Sequence, residues 1–267
     1  VVERLKSVYH IPWFEETGPI HQIQFSIMKD EASLLLDTSG AGLHKRGYRL
    51  QANYAPLKET LSASLCSLAR LRDYHTLYDP MCGSGTILIE GAMMAQNIAP
   101  GVNRNFAAER WDALPQSAWA QERERARDLV KRDVHFQAYG SDIDADALEL
   151  AKANALRAGV QANIAWKQAD LRDFAPETEK GTLICNPPYG ERMLDIQQAN
   201  ELYRIMGKKF DKKRGWSYYI ISPSEQFESL FGRRADKRRK LYNGMIKCQL
   251  YICLLYTSPS PRDGATS

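Results

Sequence analysis

Asn186-Pro187-Pro188-Tyr189 is the stretch of this sequence with the most specific chemistry. An apolar run, "LIC", ends on Asn186, and two prolines follow at once. Each proline fixes φ and removes a backbone N–H. The residue before each is held extended. The backbone groups that remain are carbonyl acceptors, and Asn186 adds a side-chain carbonyl. Two acceptors side by side suit a planar NH₂ group with two protons to donate. Holding both N–H bonds of an aromatic amine turns its nitrogen toward an electrophile and favours the pyramidal form in the transition state. Tyr189 offers a flat face for a base, worth about 1–3 kcal/mol in nucleic-acid sites. No general base stands nearby, and a sulfonium methyl donor needs none early; in-line positioning then supplies much of the rate. The candidate catalytic residues are Asn186, Pro187 and Tyr189. A Pro-rich loop with a buried Tyr is the competing reading.

A second stretch, "DPMCGSGT" at 79–86, places Gly83 and Gly85 between a strand and a helix. Glycine permits φ > 0 and lets backbone come close to a ligand. The context is that of a dinucleotide-type loop, although the pattern is not GxGxxG and a structural turn competes with it. Asp79 ends the strand, and "SDID" at 141–144 ends the next one. An acid there can accept both hydroxyls of a ribose. Asp142 is nearest the strand end, whereas Asp144 fits a helix N-cap. Asp170 ends a third strand, where it either accepts from an adenine amino group or is a loop acid with no partner. The candidate cofactor-binding residues are Asp79, Cys82, Gly83, Ser84, Gly85, Asp142 and Asp170.

These residues need elements to position them. Residues 23–28 and 33–37 read as a hairpin turning at "KDE". Apolar residues at helical spacing (Leu57, Leu61, Leu65, Leu68) mark a helix. A strand at 77–78 follows, then the glycine turn and an apolar helix. The segment 117–133 is charged and helical. "FQAYGSDID", "ANIAWKQAD" and "GTLICN" read as strands, and "ADALELAKANALRAG" as an amphipathic helix with Gly159 beyond its end. A helix at 200–210, the strand "WSYYIIS" and a short helix capped by Ser224 come next. "RKLYNGMIKCQLYI" is a hairpin with Asn243-Gly244 as a type I′ turn. Strands alternating with helices predict an α/β fold with right-handed crossovers and a mostly parallel sheet, closed by an antiparallel hairpin. Such a sheet binds ligands at its carboxyl strand ends, so "DPMCGSG", "SDID", "QAD" and "NPPY" are expected to face one crevice.

"DPMCGSGTILIE" together with "NPPYGER" resembles the class I S-adenosylmethionine-dependent RNA methyltransferases that carry a THUMP domain. The similarity is greatest to the bacterial 23S ribosomal RNA guanine-N2 methyltransferases (the RlmL type and its single-module relatives). It spans about residues 8–252 and includes "WFEETG", "DTSGAGLHKRGYR", "APLKETL", "NIAPGVNRNF" and "FGRRADKRRKLYNG". The resemblance implies a Rossmann-like, seven-stranded methyltransferase domain at 49–252. It implies that 1–48 is the C-terminal remnant of a THUMP-containing RNA-binding region. It also implies S-adenosyl-L-methionine as cofactor, held by Asp79 to Gly85, Asp142 and Asp170. The target guanine in large-subunit ribosomal RNA would be held by Asn186, Pro187 and Tyr189. "NPPY" alone also fits DNA adenine-N6 and protein glutamine-N5 methyltransferases, and a non-catalytic RNA-binding scaffold is a third reading.

The 267 residues carry a net charge of only +4. Its distribution is more informative. "HKRGYR" (44–49) and "RRADKRRK" (233–240) are basic runs. A solvated face is the ordinary reading of such runs. With an RNA substrate, Lys45, Arg46, Arg49, Arg233, Arg234 and Arg238 are expected to meet phosphates. The five cysteines are scattered without a CxxC pair, so no metal site or disulfide framework is expected, and a reducing cytoplasm fits. No apolar run approaches the ~20 residues that span a bilayer. The start, "VVERLKSVYH", reads as an internal cut. Residues 253–267, beginning "CLLYTSPSPRD", resemble a translated sequencing adapter, with an ordinary Ser/Pro-rich tail as the competing reading, and are set apart from the fold either way.

Overall fold

The computed structural model describes residues 1–49, 57–189, 196–210 and 215–254. Helix α1 (Val2–Tyr9) precedes a hairpin of β1 (Gln22–Met28) and β2 (Glu31–Asp37). Met28 faces Glu31 across a two-residue turn. Lys29 and Asp30 in that turn take φ of 53° and 63°. Positive φ at both central residues is the I′ arrangement, whose twist matches the strands. Ile23, Phe25 and Ile27 pair with Leu36, Leu34 and Ala32, so one face of this ribbon is apolar. It stays exposed among the described residues. The ribbon joins the rest of the chain through backbone bonds from Ala107 and Ala108 to Ser39 and Thr38. His21 also stacks on Trp111.

The main body contains α2 (Glu59–Leu68), β3 (Thr76–Asp79), α3 (Thr86–Ala95), α4 (Gln116–Asp128), β4 (Gln137–Asp142) and α5 (Ala145–Ala158). It continues with β5 (Ile164–Gln168), β6 (Gly181–Cys185), α6 (Ile196–Lys209), β7 (Trp216–Ser222), α7 (Phe227–Phe231), β8 (Lys237–Asn243) and β9 (Ile246–Leu254). The seven strands of the sheet run in the order β5-β4-β3-β6-β7-β9-β8. β3 to β7 are mutually parallel. β9 lies antiparallel between β7 and β8. The chain leaves β3 toward β4 and β5, then returns to the other side of β3 as β6. This reversal is the switch point, where side-by-side crossovers diverge and open a crevice.

Alternating strand side chains feed two cores, as period 2 requires. Leu77, Ile184, Tyr219 and Ile221 join the core under α2, α3 and α5. Tyr78, Leu183, Cys185, Tyr218 and Ile220 join the core under α6 and α7. α3 is buried nearly all round, which explains its unbroken apolar sequence. α5 begins at Asp144, whose carboxylate accepts from the Asp146 and Ala147 N–H groups, and ends at Gly159 with φ 75°. Both ends match the sequence reading.

Three expectations need correction. Ser224 does not cap α7; that helix starts at Phe227 with Gln226 as its N-cap, and Ser224 instead supplies a carbonyl to the Phe227 N–H. The β8–β9 turn is not type I′, because Gly244 takes φ 63° while neither Asn243 nor Met245 is at positive φ. Cys253 and Leu254 were set apart with the tail, yet they pair with Tyr218 and Ser217 inside the sheet. The rest of that segment lies outside the described residues.

Candidate functional site

One crevice of about 810 Å³ opens at the carboxyl ends of the strands. Asp79 at the end of β3, Asp142 at the end of β4, Asp170 after β5 and Asn186 after β6 all line it, as the topology predicted. Their convergence follows from parallel strands alone, since every such strand ends on the same edge.

The glycine loop is shaped by its neighbours. The Gly83 N–H donates to Asp142 Oδ2 at 2.8 Å. The Asp144 N–H donates to Asp142 Oδ1 at 3.1 Å. Asp142 therefore fixes both the loop and the strand end while facing the crevice. Gly83 has φ 50°, and a Cβ there would meet nothing within 4 Å. Its bare backbone faces open space that a ligand can enter. Gly85 differs: a Cβ there would lie 2.6 Å from Trp166 and 3.0 Å from Ala151. It does not line the crevice and is required for helix–strand packing. Ser84 and Cys82 line the crevice wall. Burial pushes the Cys82 thiol up, so it stays a neutral thiol.

Asp79 is nearly fully buried, and its carboxylate accepts from the Met81 N–H at 3.2 Å. Burial raises its pKa well above the usual carboxylate range, and the nearby Asp142 charge adds to this. From about pH 4 upward the unfolded chain has released a proton that the fold retains. Stability therefore falls as pH rises through that window. Asp79→Asn is expected to flatten this fall in thermal melts recorded from pH 4 to 8. An unchanged slope would mean that Asp79 does not carry it.

Asp170 has a partner after all. It accepts from the Arg172 N–H at 2.7 Å and pairs with the Arg172 guanidinium at 2.8 Å. Asn154 was missed by sequence reasoning. It is fully buried on α5 and donates to the Ser84 carbonyl at 3.2 Å, anchoring the loop from below. The signal was a polar residue on the apolar stripe formed by Ala147, Ala151 and Ala158. Gln198, Glu201 and Leu202 of α6 also line the crevice, together with Leu57 and Thr86. Nothing in those residue types marked them.

The ledge is only partly as expected. Asn186 and Pro188 line the crevice, whereas Pro187 is buried and Tyr189 is not on the wall. The Tyr189 ring packs against the core beneath α3, and its hydroxyl donates to Asn186 Oδ1 at 2.5 Å. Tyr189, the residue expected to stack on a base, is thus absent from the crevice lining. Residues 190–195, including Glu191 and Arg192, lie outside the described residues.

The basic candidates separate into two groups. Lys45 and Arg234 are exposed. Arg46 pairs with buried Glu90 at 3.5 Å. Arg49 pairs with buried Glu59 at 3.5 Å and donates to the Leu57 carbonyl and the Thr86 hydroxyl. Arg233 donates to the Phe210 carbonyl and lies over the rings of Phe231 and Tyr218. Arg238 is held by both carboxylate oxygens of Glu228. These four, expected to meet phosphates, each have an internal partner, and the Arg238 side chain remains exposed. Lys237, Arg239 and Lys240 on β8 are exposed along an edge strand, with Lys240 over the Tyr242 ring. Among the described residues no cluster of three metal-binding side chains occurs, and no helix is long and apolar enough to cross a membrane.

Comparison with known proteins agrees with this geometry. Residues 46–252 match the family described as RMKL-like, methyltransferase domain. YpsC of Bacillus subtilis (strain 168), which carries an RNA methyltransferase name, is 42% identical over 94% of this chain and 66% of its own length. Ribosomal RNA large subunit methyltransferase K/L of Shewanella baltica (strain OS195) is 39% identical over 86% of this chain and 33% of its own length. The chain thus spans about two thirds of the first relative and one third of the second. The solved structure of SMU.472, described as a methyltransferase complexed with SAH, is 40% identical. It superposes with a TM-score of 0.87, covering 95% of this chain and 67% of that one. A match over most of the chain and a shared fold at this identity leave one assignment: the chain belongs to the RMKL-like methyltransferase-domain family.

Proposed function

We propose that this protein transfers a methyl group from S-adenosyl-L-methionine to the exocyclic N2 amine of a guanine in large-subunit ribosomal RNA. The observation that carries the reading is Asn186, a side-chain acceptor in a two-proline loop, on the wall of the crevice that also holds Gly83 and Asp142. The cofactor fits the residues present. Gly83 leaves room for close approach, and Asp142 keeps lone pairs for ribose hydroxyls beyond its two backbone bonds. When bound, the cofactor supplies an electrophilic methyl on a sulfonium. Asn186 Oδ1, on the crevice wall, accepts from the amine and orients its nitrogen. The amine loses its extra proton only after methylation, so no buried base is required at the ledge. Membership of the family and the ribosomal RNA name of the K/L relative support the substrate class. Exposed Lys45, Arg234, Lys237, Arg239 and Lys240 supply charge for phosphates, which makes binding fall as salt rises. The target base must leave its stack to reach the crevice.

The test uses tritiated S-adenosylmethionine with the protein and unmodified large-subunit ribosomal RNA. Nucleoside digestion should recover the label as N2-methylguanosine. Label found only on DNA adenine or on protein glutamine would overturn the substrate. Absence of calorimetric binding to S-adenosylhomocysteine would favour a scaffold instead.

A further inference from the structure

We infer that Tyr189 is a positioning residue that locks the side-chain amide of Asn186, and that Asn243 at the β8–β9 turn holds Tyr189 in place. This rests on the methyltransferase reading above and deepens it. Three groups meet at the Tyr189 oxygen. The Asn243 Nδ2 donates to it at 3.4 Å. The Cys248 Sγ lies 3.9 Å away on the donor side. The hydroxyl itself donates to Asn186 Oδ1 at 2.5 Å.

The directions of these bonds decide the role. A hydroxyl has one proton to give and two lone pairs. Asn243 takes one lone pair, while the Cys248 thiol stands near the other and is also 3.7 Å from the Ile246 carbonyl; the hydroxyl proton goes to Asn186. A donor aimed at Asn186 selects its oxygen over its NH₂ group, and these two ends of the amide are nearly the same shape. Without that donor the amide is free to turn over and present two N–H bonds to an incoming amine, which repels it. Oδ1 retains a second lone pair for the substrate. Burial raises the Tyr189 pKa, so the hydroxyl keeps its proton across the working pH range. The ring packs on the core, and Tyr189 is absent from the crevice wall.

A stacking role and a positioning role separate cleanly in Tyr189→Phe, since phenylalanine stacks as well as tyrosine and lacks only the hydroxyl. Methyl transfer by Tyr189→Phe is expected to show kcat reduced roughly ten-fold, the size of one lost hydrogen bond. Affinity for S-adenosylhomocysteine and the KM for S-adenosylmethionine should stay within two-fold or so. Asn243→Ala should lower kcat in the same direction by a smaller factor. The double variant should be no worse than Tyr189→Phe alone, because Asn243 acts only through the hydroxyl. Wild-type kcat in Tyr189→Phe, or additive losses in the double variant, would overturn the inference. Asn186→Ala runs alongside: if it retains full turnover, the ledge reading itself fails, whereas an inactive Asn186→Ala with a fully active Tyr189→Phe removes only the positioning role.

Discussion

Asn186→Ala is expected to reduce kcat for methyl transfer by about 10²–10³ while leaving S-adenosylhomocysteine affinity within a few-fold. The size follows from where the side chain stands. Asn186 is half-buried on the crevice wall, and its acceptor is preorganised by a loop in which Pro187 and Pro188 leave little freedom. An acceptor of this kind acts on the amine as its nitrogen changes shape, so its loss falls on the transition state. In the proposed reading the cofactor lies elsewhere, against the glycine loop and Asp142, which accounts for the small expected effect on binding. Single-turnover rates and calorimetry on one preparation check both halves. Retained turnover would show that the two-acceptor argument is wrong.

Glu59→Ala is expected to destabilise the fold by about 3–5 kcal/mol, because it strands a buried guanidinium. In a domain of this size that lowers the melting temperature by roughly 10 °C. The Arg49 and Glu59 side chains are only 11% and 5% exposed. Arg49 also donates to the Leu57 carbonyl at 3.3 Å and to the Thr86 hydroxyl. Leu57 and Thr86 line the crevice, so this pair ties the segment before α2 to the first turn of α3 at the crevice wall. Loosening it should also weaken S-adenosylhomocysteine binding. Replacing both partners with apolar residues of similar volume (Arg49→Met with Glu59→Leu) should recover most of the lost stability, since no charge is then left unpaired. A melting temperature within 2 °C or so of wild type for Glu59→Ala would show that Arg49 finds compensation elsewhere.

The alternation of elements was legible because its determinants are local. Apolar spacing in α5, the Asp144 cap and the Gly159 end sit within a few residues of each other, and each matched. Short-range turn chemistry was less reliable. Asn243-Gly244 carries the usual I′ dipeptide, yet Lys29-Asp30 adopts that turn instead. Register decides this: Asn243 pairs with Ile246, so the two central positions are Gly244 and Met245.

The sequence by itself determined that four strand-end residues reach the site. Parallel strands bring Asp79, Asp142, Asp170 and Asn186 to one edge, and the strand order needs only right-handed crossovers. The tertiary structure decided what those residues touch. The Arg46 and Glu90 side chains meet across 44 positions, and Arg238 meets Glu228 across 10, so each basic run that reads as an RNA surface gives some of its charge to internal pairs. Tyr189 is the sharpest case. Its place beside Asn186 was fixed by the chain, but the direction of its ring was set by β8 and β9, which offer Asn243 and Cys248 54 and 59 residues later. A side chain's rotamer answers to whatever packs against it. Those neighbours arrive only when the sheet closes.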